Sequence, residues 1–542
     1  MKRVLRISAL VLSLALLLTA ALACNNQDQT TTTTPGQTTT KSTTTGGTTT
    51  ATTSTEAGLF DEKLDITWIV YNQFDNPVPE GSVNELLIEE MFNVELTIPQ
   101  LDVHNQEQWT VYWASGNTAD HIQSNNMSTF FHRFAEQGLI RPISEEMLYT
   151  YAPDYMNLIG TLVPKDLIIP QITFQDEVWL LPYTNIAQAQ QVWIMAARKS
   201  WMERVGVANA PATLADLENM ITKFTKEDPD NNGADDTYGI HLYGYTGAGY
   251  LWGTLGVYPG AYYDTDGKII YANTTEAYKQ GLKTLQSWHN DGLLDPEFIT
   301  DDRSTQRVKW AEGKIGLLND HPWWFASSTP DNLSAMITSR YEGEELVYFP
   351  AVTGPDGKSG SQIGFPQVIN NGVYFGADSS DEVVQRILAI RNAIAADMDL
   401  YIELFYGKEG ETYELDSDGI IRPFSDILTK EKISELGVMQ TFALLPTTQD
   451  HFSKTTPKSD MPTYEASFAS APLFAGRAFP VSGVNTAADE KGADVSRVAD
   501  EFYFNAVSGK IDIDAAWDAY LAELESVGLQ DIIDGYEDII VR

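Results

Sequence analysis

The only cysteine in this chain stands at position 24, directly after a short apolar run. Whatever folds downstream does so without a disulfide and must be held by buried apolar surface. The next stretch, "NNQDQTTTTTPGQTTTKSTTTGGTTTATTSTEAG", cannot supply such a core. It is threonine with scattered Gly, Ser and Gln, the composition of a disordered tether. Folding therefore starts near residue 59. From there the chain is evenly mixed and rich in aromatics, with length enough for two domains of ordinary size.

The chain opens "MKRVLRISALVLSLALLLTAALAC". Lys2, Arg3 and Arg6 precede an apolar core, Ile7 to Leu18, that is too short and too one-sided for a membrane span, so residues 1–23 read as an export signal. "ALAC" resembles a lipobox, in which the cysteine is diacylated and becomes the new N-terminus; Ala21 stands where Leu is commoner. The competing reading is an ordinary cleaved signal with an incidental cysteine. The lipobox reading makes Cys24 the lipid anchor and residues 24–58 the tether, on the extracytoplasmic face of a membrane. No later segment approaches ~18 uninterrupted apolar residues. The formal charge of −40 favours solubility and argues against nucleic acid as a partner, while leaving a local pocket free to oppose the global sign.

Short apolar runs such as "LDITWIVY", "VWLLPYT", "QVWIMAAR" and "LVYFPAV" read as strands. Between them "TLADLENMITKFTK", "TEAYKQGLKTLQSWHNDG" and "DEVVQRILAIRNAIAADM" have helical periodicity, with caps at Thr213, Thr275 and Ser380 or Asp381. The tail after "SGKIDID" reads as a pair of amphipathic helices. Alternating strands and helices imply an α/β architecture with largely parallel sheets.

Five ordered segments carry a resemblance. "SGNTADHI", "ARKSWMERVGVANAPATLADL", "YKQGLKTLQSWHNDGLLDPEF", "FYGKEGETYELDSDG" and "NAVSGKIDIDAAWDAYLAELESVGL" are similar to segments of family 1 bacterial extracellular solute-binding proteins, the lipoproteins that serve oligosaccharide ABC importers, alginate and oligosaccharide receptors among them. Ala119 departs from the family's Pro before Asp120, and Ser200 from its acid before Trp201. The resemblance implies a type II periplasmic-binding-protein-like fold: two α/β lobes, hinge strands and a ligand cleft between the lobes. It divides the chain into a first lobe of residues 59–184 and 366–428 and a second of residues 185–365 and 429–542. Crossings fall near Leu181 to Asn185, near "GFPQVINNGVYF", and before the C-terminal helices.

Two sites are expected. In "DPDNNGADD", Asp228, Asp230 and Asn232 place oxygens at positions one, three and five of a calcium loop, with Gly233 at the sharp turn, the Ala234 carbonyl at seven and Asp236 at nine. Position twelve is Gly239 rather than Glu, and "YGIHLYGY" reads as a strand, so this is not a complete EF-hand. Members of the resembled family carry a helix–loop–strand calcium site here, often with an acid at ten, where this chain has Thr237. The competing reading is an Asx-rich turn. A sugar cleft needs flat apolar faces for rings and planar polar groups for hydroxyls. Trp323 and Trp324 of "NDHPWWF" supply such faces, at a turn where related receptors have a Trp facing the sugar. Tyr245, Tyr250 and Trp252 of "YGYTGAGYLWG" are further cleft candidates against a plain packing role, and Asn125, Asn126 and Asn185 are candidate hydroxyl partners. Asp120 reads as internal to its lobe.

"GPDGKSG" has Val352 where a P-loop needs its first Gly, the seven histidines form no "HExxH", and no "GxSxG" occurs. The function that the resemblance implies is that of a monomeric, membrane-tethered receptor, not an enzyme, that captures an oligosaccharide and delivers it to the transmembrane subunits of an ABC permease. A secreted glycan-processing enzyme using two carboxylates, or a receptor for a peptide or signalling ligand, are the rivals. No cluster of Arg and Lys is visible near the proposed cleft, so the sequence gives no support to an acidic sugar.

Overall fold

The computed structural model describes residues 58–71, 77–101, 105–123, 131–184, 193–244, 246–326, 332–360, 369, 371–424, 426–470, 479 and 481–541. Cys24, the signal and all of the tether before Gly58 lie outside the described residues, as do Asn125, Asn126, Asn185 and Tyr245.

The strand Asn371–Gly376 is buried at all six positions, as a strand covered on both faces must be. It pairs antiparallel with Leu180–Tyr183, His121–Gln123 and Ile140–Arg141. Leu64–Thr67 pairs in parallel with Val94–Thr97, and Trp68 extends it by a parallel bridge to His121. Helices Pro153–Leu162 and Asp381–Ala396 pack together in the same lobe, whose core holds Trp68, Tyr155, Tyr374 and Ile387.

A second sheet is centred on Ile194–Arg198, flanked antiparallel by Leu317–Asp320 and Leu346–Phe349. Alternation along the central strand sorts two cores: Met195 and Ala197 face one with Trp201, Phe224, Trp252 and Tyr503, while Ile194 and Ala196 face another with Trp310 and Phe325. The helices expected here form where their caps stand. Thr213 makes a capping box with Asp216 before Leu214–Lys226, and Thr275 caps Glu276–Asn290, as Ser380 caps Asp381–Ala396 in the first lobe. The tail gives Ile513–Ser526 and Leu529–Ile539, both packed with Thr486–Val507.

The two-lobed fold stands, with three corrections. Both lobe sheets are antiparallel rather than largely parallel, Leu64–Thr67 with Val94–Thr97 being the exception among the named strands. The cause is the path between lobes: Leu180–Tyr183 ends on the first sheet, Ile194 begins the second, and Asn371–Gly376 returns to the first from the opposite direction. The segment after residue 428 belongs to the first lobe, since Phe442, Leu444, Phe452 and Tyr464 lie in that core. Its apolar faces could serve either core by pattern; contact with the first lobe decides. The helix Met461–Ser470 then touches both lobes, Tyr464 in the first core and Ala466 in the second lobe's smaller one, before residues 481–541 complete the second lobe. Finally, Tyr238 and Ile240 make only isolated bridges, to Ile315 and Leu294, rather than a strand.

The described residues, 58 to 541, fall within one compact unit. The lobes meet through an ion pair between Arg133, on the first-lobe helix Phe131–Glu136, and Asp489, on the second-lobe helix Thr486–Val507. Both side chains are about 40% exposed, so the pair adds little stability, though it ties one lobe to the other.

Candidate functional site at the lobe junction

After the buried strand Leu317–Asp320, Pro322 starts a single helical turn, Pro322–Phe325. The turn splits its aromatics between lobes. Trp323 packs against the first-lobe core, while Trp324 and Phe325 belong to the second. Trp323 stacks on the ring of His321, centroids 4.0 Å apart and 15° from parallel. His321 in turn accepts the Trp193 indole N–H at its Nε2, 2.8 Å away, and Tyr243 lies alongside Trp193 at 6.3 Å.

Two guanidinium groups complete the cluster. Arg303 and Arg307 stand four apart on the helix Arg303–Ala311 and so share a face. Arg303 lies over the Trp193 ring at 4.7 Å and Arg307 over Trp324 at 4.3 Å. Both pair with the fully buried Asp320: Arg307 Nε donates to Oδ2 at 2.8 Å, and Arg303 donates to Oδ1, which also accepts the His321 N–H at 2.7 Å. Burial, then the charges of Arg303 and Arg307, hold the His321 pKa well below the usual histidine range, so the ring is neutral. Because Nε2 accepts from Trp193, the ring proton sits on Nδ1. That Nδ1, Arg303 Nε, Arg307 Nη2 and the Tyr243 hydroxyl are buried polar atoms without a hydrogen-bond partner among the described residues.

The structure thus brings Trp323 and Trp324 to the junction and adds Trp193, Tyr243, Arg303, Arg307, Asp320 and His321, which sequence reasoning missed. The i, i+4 arginines in "RSTQR" were visible as a spacing; their convergence on Asp320 was not. Tyr250 and Trp252 are corrected: they are 1% and 0% exposed, inside the helix Gly249–Leu255. Trp252 packs against Tyr278 and so closely over Gly281 that a Cβ there would come within 2.0 Å of the indole. An indole wrapped by its own core has no face for a sugar. Asp120 keeps its internal role, accepting from Thr67 N at 2.9 Å and the Ser379 hydroxyl at 2.7 Å.

The loop from Asp228 to Asp236 gathers oxygens around Asn232. Its amide donates to Asp230 and Asp236 at 2.9 and 3.0 Å, while the Asp228 carboxylate accepts from the backbone of Asn232 and Gly233. Gly233 holds φ 80°, and Ala234 N donates to the Asn232 side chain. Burial and the neighbouring Asp228 raise the Asp230 pKa, whereas Lys314, bonded to Asp236 at 2.5 Å, lowers that of Asp236. Asp228, Asp230, Asn232 and Asp236 are hard-oxygen donors of the kind calcium takes. Two EF-hand positions are closed. The Thr237 hydroxyl is turned inward to Phe224 O, and a side chain on Gly239 would start 2.4 Å from Ile221 O. Among the described residues, the His and carboxylate groups that lie within reach of one cation are His241, Asp295 and Asp301, but the Lys309 ammonium already bonds Asp295 and Asp301, at 2.8 and 2.5 Å.

No family model matches the chain. It is 23% identical over 493 residues to the polygalacturonan/rhamnogalacturonan-binding protein YtcQ of Bacillus subtilis, covering 88% of this chain and 91% of that one. It is 26% identical over 329 residues to the lipoprotein LipO of the same organism, covering 59% and 61%. Among solved structures, an EF-hand mutant of the ABC-transporter substrate-binding protein FusA of Streptococcus pneumoniae, in complex with fructo-nystose, superposes with a TM-score of 0.61 at 18% identity, covering 88% of this chain and 98% of that one. FusA is thus a substrate-binding protein of an ABC transporter, YtcQ a polysaccharide-binding protein and LipO a lipoprotein, and the structural likeness carries the two-lobed fold.

Proposed function

We infer that this chain, an extracellular solute-binding protein of family 1, is the receptor of an ABC importer and captures an oligosaccharide between its lobes. The observation that carries the reading is the aromatic junction: Trp323 packs toward one lobe, Trp324 toward the other, and Trp323 stacks on His321, which meets Trp193 edge-on. Flat apolar faces beside unpaired polar atoms are what a pyranose needs. Relatives that bind polygalacturonan and fructo-oligosaccharide support it. The sugar can favour closure only through contacts made in the closed form, so junction residues are the ones that matter. The receptor acts as a monomer, hands its ligand to the permease's transmembrane subunits, and does not turn it over. Cys24, outside the described residues, is the anchor, a reading that likeness to a lipoprotein supports.

One experiment tests function and anchor together. The Cys24→Ala protein should be recovered from the medium, and calorimetry should then find a glycan bound at one per chain with no product formed. Retention on the membrane would remove the anchor. Turnover would make the protein an enzyme, and a peptide binding in place of any glycan would leave a receptor of another class.

Calcium at the Asp228–Asp236 loop is structural in this reading, since a ligand of the folded state alone stabilises by mass action, about 2.7 kcal/mol at a hundredfold excess over Kd. Chelation should lower the thermal midpoint, and Asp228→Ala with Asp236→Ala should abolish the response. A midpoint indifferent to chelator and calcium alike would leave the loop an Asx-rich turn.

A further inference from the structure

We propose that the oligosaccharide taken at this junction is acidic, an oligomer containing uronic acid units whose carboxylate is received by Arg303 and Arg307. This rests on the receptor reading above and adds the ligand's charge to it.

The first ground is the hydrogen-bonding inventory. Arg303 Nε and Arg307 Nη2 are donors, and so is His321 Nδ1, by the tautomer that the Trp193 indole imposes. The carboxylate at their centre is committed: Asp320 Oδ1 accepts from Arg303 and the His321 backbone, and Oδ2 from Arg307. A neutral sugar offers hydroxyls, each a donor as well as an acceptor, and is met best by a wall that does both; of the junction's four atoms unpartnered among the described residues, the Tyr243 hydroxyl alone can do so. A wall whose spare nitrogens all donate is complementary to a group that only accepts, and an ionised carboxylate is such a group.

The second ground is charge. Two guanidinium groups face one carboxylate, and no other carboxylate pairs with either arginine among the described residues, so the cluster is net positive inside a chain of formal charge −40. A neutral His321 adds a donor without changing that balance. Such a local reversal of sign, with low-dielectric indole walls at Trp193 and Trp324, attracts an anion and is wasted on a neutral glycan. Trp323, stacked on His321, lies beside these arginines, so charge and ring recognition adjoin.

The test is calorimetric titration of the chain with tetragalacturonate and tetramannuronate, each against its fully methyl-esterified form, at low and high salt. The ester keeps shape and hydroxyls and deletes the charge. One free acid should bind roughly ten- to a hundredfold more tightly than its ester, as lost charge-assisted hydrogen bonds predict. That margin should shrink with salt. Arg307→Gln should bring acid and ester close together; Asp320 keeps Arg303 in that variant, and its thermal midpoint checks that it folds. If it does not fold, the acid-to-ester ratio of the unaltered chain decides alone. Equal binding of acid and ester, or binding of neutral glycans only, overturns the acidic ligand and leaves the receptor standing. If no glycan binds, acidic or neutral, both readings fall.

Discussion

Trp323→Ala should weaken oligosaccharide binding by thirtyfold to a thousandfold while leaving the protein folded. Truncating a buried aromatic anchor at a binding site commonly costs about 2–4 kcal/mol, and each ~1.4 kcal/mol is tenfold in affinity. Trp323 is the stronger choice of the two adjacent indoles because it reaches toward the first lobe and lies flat on a neutral histidine, whereas Trp324 joins the second-lobe core beneath Arg307. Trp324→Ala should accordingly act more on stability than on affinity. Calorimetry with the identified glycan, set beside the thermal midpoint of each variant, separates the two. If Trp323→Ala binds as tightly as the unaltered protein, the indole is packing between lobes and the sugar lies elsewhere.

Arg391→Met should destabilise the first lobe by about 3–5 kcal/mol, since each buried polar partner left unpaired costs roughly 1–3 kcal/mol. Arg391 is fully buried, and burial lowers its pKa to about 10. Its guanidinium donates to Phe442 O and Leu444 O at 2.9 and 3.2 Å and to Gln123 Oε1 at 2.7 Å, and it meets His121 Nε2 at 2.6 Å. His121 is itself clamped, stacked on Trp68 at 3.8 Å with Nδ1 bonded to Ile69 O. One side chain thus joins the strand His121–Gln123, the long helix Asp381–Ala396 and the segment near residue 443. Methionine fills comparable space, so the loss reports hydrogen bonds more than cavity. Denaturant unfolding followed by fluorescence should show an earlier first transition, with glycan affinity nearly unchanged. An unchanged transition would mean that these acceptors find other partners.

What was legible in the sequence was what neighbours along the chain decide. A helix N-terminus is built within four residues, so Thr213, Thr275 and Ser380 announced their helices, and all three hydroxyls accept the expected backbone N–H. The oxygens of Asp228, Asp230 and Asp236 could be placed about one loop for the same reason, and two-lobed character followed from five ordered segments. Tertiary structure decided the rest. Tyr250, Trp252, Trp323 and Trp324 carry the same signal in the sequence, because aromatic area drives burial in a core and at a ligand face alike; only packing sent the first pair inward. Strand direction depended on a chain that leaves a lobe and returns from the other side, which no local pattern records. The arginines were hidden for a related reason. Arg303 and Arg307 lie 17 and 13 residues before Asp320, each an unremarkable surface charge until the helix and the strand set them around one buried carboxylate. Charge at a binding site is a sum over groups brought together by folding, and the sequence by itself fixed only the terms.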